Sequence, residues 1–67
     1  MDFTEILKDI MAELELNQTK LAEKLGIKHS QISEWLSGKC LPGYYNLQKI
    51  CQALDISGDR ILGLEKE

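Results

Sequence analysis

The sequence is short of the residues that most chemistry needs. It has one histidine, two cysteines and one proline. A single histidine leaves no paired nucleophile and base, and neither a glycine-rich phosphate loop nor a metal-ligand set accompanies it. An enzyme is therefore the weakest class, and no cofactor is expected. Cys40 and Cys51 lack a CxxC spacing, and two cysteines with one histidine in this order match no zinc pattern. They read as reduced thiols, Cys51 as a small core residue and Cys40 in a loop, with a disulfide between them as the alternative. The single proline and the scarcity of β-branched runs favour helices over strands. No apolar run is long enough to cross a bilayer, and no charged segment followed by an apolar one opens the chain. The expected location is the cytoplasm, with no membrane partner.

What remains is an ordinary globular composition, 43% hydrophobic and 28% charged over 67 residues. That length allows one domain, spanning 1–67, with a modest core. The net charge of −3 argues at first against a nucleic-acid partner. Its distribution argues the other way. Residues 1–16 set Lys8 against Asp2, Glu5, Asp9, Glu13 and Glu15, a net −4. Residues 17–39 set Lys20, Lys24, Lys28 and Lys39 against Glu23 and Glu34, a net +2, and residues 40–67 come to −1. The positive segment can meet phosphate while the acidic remainder limits non-specific binding. A plain solvated surface fits the same small excess.

Apolar periodicity marks five short helices. Phe3, Ile6, Leu7, Ile10, Met11 and Leu14 place the first over 3–14, with Asp2 as its cap. Asn17 caps the second, whose buried side is Leu21, Ala22 and Leu25. Gly26 follows at a position that needs positive φ. Ile32, Trp35 and Leu36 form the inner side of the third, so Trp35 reads as core rather than as a platform for bases. Lys28 stands where this helix needs an N-cap and cannot accept a backbone hydrogen bond. Gly38 ends it. The fourth covers 44–54, with Tyr44, Leu47, Ile50, Cys51 and Leu54 inward and Tyr45 outward. Ser57 caps a last helix through Ile61, Leu62 and Leu64. The tail 65–67 reads as frayed. The fold class is all-α, a compact bundle of five short helices with a helix-turn-helix at about 18–36.

The stretch Asn17, Gln18, Leu21, Ala22, Leu25, Gly26, Ile27 resembles the second helix and turn of the phage-repressor and Cro family, the lambda-repressor-like helix-turn-helix domains. Ile32, Ser33, Trp35, Gly38 and Lys39, then Pro42, Leu47, Ile50, Ala53, Leu54, Ile61 and Leu62, resemble the rest. The agreement runs from Phe3 to Leu64 at fixed spacing. It implies a sequence-specific, double-stranded-DNA-binding transcriptional regulator of the phage or prophage repressor type. Its reader helix, at about 29–36, enters the major groove. It also implies dimers on a palindromic operator, here by weak self-association through the last helix.

The resemblance further assigns roles. Gln18 bonds a phosphate and braces the reader helix, and Thr19 adds a phosphate contact. His29, Ser30 and Glu34 meet base edges. Lys28, Gln31 and Ser33 flank them as base or phosphate contacts. Ser37 and Lys39 belong to a loop that grips the backbone. Glu34 can accept from cytosine N4, or instead pair with Lys28 or a neighbouring lysine. Two departures stand out. Many members carry a buried arginine–glutamate pair where this chain has Met11 and Leu36, which are expected to touch in the core. The reader face also has no arginine. The rival function is a protein-interaction module or an antitoxin component, which the acidic total favours.

Overall fold

A computed structural model describes residues 2–64 of the chain. It contains α1 (Phe3–Glu13), α2 (Gln18–Leu25), α3 (His29–Ser37), α4 (Tyr44–Leu54) and α5 (Gly58–Ile61), with no strand among the described residues. Three helices start on a side chain that accepts a free backbone N–H, as short polar residues at this position do. Asp2 Oδ1 takes Glu5 N at 3.0 Å, Asn17 Oδ1 takes Lys20 N at 2.8 Å and Ser57 Oγ takes Arg60 N at 3.1 Å. The N-caps of α3 and α4, Lys28 and Gly43, make no such bond.

The helices stop by one recurring device. A residue one or two past the helix end turns left-handed, and backbone N–H groups there reach back to close the final carbonyls. Gly26 does this after α2 at φ 68° and Gly38 after α3 at φ 78°. After α1 the left-handed residue is Glu15, at φ 56°. Its N–H reaches Ala12 O at 3.2 Å and that of Leu16 reaches Met11 O at 2.8 Å. This reversal corrects one expectation: Leu14 is 43% exposed, because the helix has ended and Leu16 packs against the core in its place.

The core is a single cluster drawn from every helix. Leu7, Ile10, Leu21, Ile32, Trp35, Ile50 and Ile61 are its largest fully enclosed side chains. Trp35 is the hub. Phe3 meets it edge-on at a centroid distance of 6.3 Å. The Thr4 hydroxyl donates to the Trp35 carbonyl at 3.0 Å, so α1 holds α3 by both packing and a hydrogen bond. Met11 is buried and Leu36 half-buried against this cluster. An Arg60–Glu13 ion pair fastens α5 to α1. Both cysteines are free thiols, Cys40 exposed and Cys51 half-buried, so the disulfide alternative falls.

Two further expectations are corrected. Tyr44, assigned to the inner face of α4, is 80% exposed. It is the first residue of the helix, and the core there is filled by Leu47 and Ile50. The last helix ends at Ile61, not at Leu64. Gly63 turns left-handed at φ 74° and Leu64 N closes on Asp59 O at 2.8 Å, leaving Leu62 and Leu64 exposed. The reading of 65–67 as frayed lies outside the described residues. No described helix is long and apolar enough to cross a membrane.

Candidate nucleic-acid interface

The segment from α2 through Gly26 to α3 forms one surface. Leu21, Ala22 and Leu25 bury the inner side of α2, and Ile32 and Trp35 that of α3. The polar residues between them are therefore forced outward. Gly26 makes the tight connection. A Cβ there would meet nothing within 4 Å, so the glycine is needed for its backbone angle and not for room.

One hydrogen bond locks the two helices. Ser33 Oγ donates to Gln18 Oε1 at 2.7 Å in a partly buried setting. It joins the first residue of α2 to the middle of α3. With Oε1 occupied, the Nε2–H donors of Gln18 are left for an external acceptor. Ser33 thereby acts on the angle between α2 and α3, since its only hydroxyl hydrogen is committed to Gln18.

The other site residues divide by exposure. Thr19, Lys28, His29, Ser30, Ser37 and Lys39 are exposed, while Gln31 and Glu34 are half-buried. Lys28 leaves the first turn of α3 without a side-chain cap, so its N–H groups point from the helix start beside a positive charge. Ser37 is occupied locally. Its hydroxyl donates to Glu34 O at 3.0 Å and accepts from Lys39 N at 3.3 Å, which shapes the turn carrying Lys39. Glu34 does not pair with Lys28: among the described residues its carboxylate takes only a long bond from the Cys40 thiol, 3.9 Å. Tyr45 is 67% exposed, and the Lys49 ammonium lies 5.0 Å over its ring. That cation–π pair escaped the sequence reading, although an aromatic and a lysine four apart on a helix are its signal.

The chain matches the family model described as helix-turn-helix over residues 7–61. It belongs to the helix-turn-helix family. Membership makes it a DNA-binding regulator domain and not an enzyme. Among curated relatives, it is 33% identical to the HTH-type transcriptional activator BcrR of Enterococcus faecalis over 98% of this chain and 32% of that protein. The helix-turn-helix domain thus spans about a third of that relative. Among solved structures, it is similar to the P22 c2 repressor in complex with a synthetic operator. There the TM-score is 0.85 at 25% identity, covering 97% of this chain and 98% of that one. A transcriptional regulator from Listeria innocua shares the fold, with a TM-score of 0.82 at 24% identity over 98% of this chain and 62% of that one.

Proposed function

We propose that this helix-turn-helix domain is a sequence-specific regulator of the phage or prophage repressor type, reading the major groove of duplex DNA with α3. The carrying observation is the Ser33–Gln18 hydrogen bond, which fixes the angle of a helix whose outward residues are polar. The likeness to a repressor held on an operator, across nearly all of both chains, supports the docking mode. In this reading Gln18, Thr19, Lys28 and Lys39 hold phosphate, and His29, Ser30, Gln31 and Glu34 face base edges. Ser33 and Ser37 set the angle of α3 and the shape of its following turn. The chain acts as a single domain in the cytoplasm, on a palindromic operator and as a dimer. The exposed apolar side chains Leu41, Tyr44, Leu62 and Leu64 provide the self-association surface, with reader helices about 34 Å apart on one turn of DNA.

Selection of bound duplexes from a random pool tests the proposal. Enrichment of a two-fold-symmetric motif is expected. Recovery of no preferred sequence would contradict specific readout. Because the Enterococcus faecalis relative is an activator, placing the selected site upstream of a reporter decides the sign of regulation; repression is expected.

A further inference from the structure

We propose that Thr4, in the first turn of α1, is a positioning residue for DNA binding: its hydroxyl pins the last turn of α3, so that the chain beyond it carries Lys39 to where it meets phosphate. The inference rests on the major-groove reading above and goes beyond it by giving α1 a part in the grip. A threonine inside a helix can turn its hydroxyl back on a carbonyl of the preceding turn. Thr4 is the second residue of α1, and no helical turn precedes it. Its hydroxyl donates across to α3 instead, to the Trp35 carbonyl at 3.0 Å in a partly buried setting. The donor is itself held. Asp2 caps this turn at Glu5 N, and Phe3 meets the Trp35 ring edge-on.

The last carbonyls of a helix have no partner within it. In α3, those of Glu34 and Trp35 shape the exit of the chain. Glu34 O accepts from Lys39 N at 3.1 Å and from the Ser37 hydroxyl at 3.0 Å. Trp35 O accepts from Gly38 N at 3.3 Å, longer than the usual range, and Thr4 supplies the shorter bond. A Cβ built on Gly38 would lie 3.9 Å from Thr4 Oγ1, so the hydroxyl also lies against the left-handed residue that precedes Lys39. The reader helix is thereby tied to α2 through Ser33 and to α1 through Trp35. One tie leaves a helix free to pivot, whereas two from different helices fix its direction. Without the Thr4 hydroxyl, the turn samples other arrangements in the free protein, and binding must select the one that presents Lys39.

Titration of the selected duplex with wild type, Thr4→Val, Thr4→Ser, Lys39→Ala and the Thr4→Val/Lys39→Ala double variant tests this, with circular dichroism to follow folding. Thr4→Val keeps the shape and removes the donor. It should lower affinity by roughly 2- to 10-fold, the range set by the net worth of one hydrogen bond. Thr4→Ser restores the hydroxyl and should recover most of the loss. In the double variant Thr4→Val should cost almost nothing further, because with Lys39 gone no contact is left to position. In the free protein, Thr4→Val should speed amide hydrogen exchange at Gly38 and Lys39 more than at Ile32. Unchanged affinity in Thr4→Val, losses that add in the double variant, equally faster exchange along all of α3, or loss of the fold in Thr4→Val would each make Thr4 a plain structural contact. Any of these overturns the assignment and leaves the DNA-binding reading intact. Failure of wild type to bind any duplex overturns that reading and the role of Thr4 together.

Discussion

At Gln18 and Ser33 a single side-chain hydrogen bond joins α2 to α3. If their hydrogen bond orients α3, the two residues act as a unit. Gln18→Ala and Ser33→Ala should each weaken operator binding, and the double variant should be barely worse than Gln18→Ala alone. Titration of the selected duplex measures this. Each variant should lose only about 1 kcal/mol of stability, the net worth of one such bond. Glu15 makes the opposite kind of case. It occupies a left-handed conformation at φ 56°, which costs a residue with a Cβ about 1–2 kcal/mol and glycine almost nothing. Glu15→Gly should therefore raise the urea midpoint, with a gain of about 1 kcal/mol. Gly26→Ala should lower it by a similar amount, since its new methyl would meet nothing within 4 Å and only the backbone term acts. The glycine turn was legible because glycine at a helix end is a strong signal. Glu15 was not, because a glutamate after an amphipathic run looks like one more helical residue. The exposure of Tyr44 was hidden likewise: spacing assigns a face, but not whether a first-turn residue has anything to pack against.

Among the elements, α3 shows a conflict between stability and function. Lys28 provides no cap, and a serine there would accept one of the free N–H groups. Lys28→Ser should stabilise the domain by about 1 kcal/mol in denaturant melts. The same change should weaken duplex binding and reduce the slope of log K against log salt by about 1, as the loss of one phosphate contact requires. A stabilised variant with unaltered salt slope would remove Lys28 from the interface. The sequence exposes this conflict, because capping rules name the residue types that belong at a helix start and lysine is not among them. The last helix was harder to read. Its apolar residues continue past Ile61, but a one-turn helix has too few residues for periodicity to mark its end, and Gly63 ends it.

For the whole molecule, the account joins a segregated charge to a core built on Trp35. Trp35 is 1% exposed and is held by α1 through the Phe3 ring and the Thr4 hydroxyl. Trp35→Ala should cost about 3–5 kcal/mol, enough to unfold a domain of this size at ordinary temperature. Amphipathic periodicity made the five-helix core readable, since each helix in a small bundle has one place to bury its apolar side. The interface was readable only in part. Sequence places polar residues on a face, whereas the hydrogen bond between Gln18 and Ser33 depends on how two helices cross. The central claim is that the face of α2 and α3, with Lys28 and Lys39 on either side of α3, grips duplex DNA despite the acidic total. The salt dependence of binding to the selected duplex between about 50 and 200 mM tests it most directly. The account predicts measurable binding at the low end and a steep linear fall in log K as salt rises. Binding that is insensitive to salt, or absent at the low end, would contradict it.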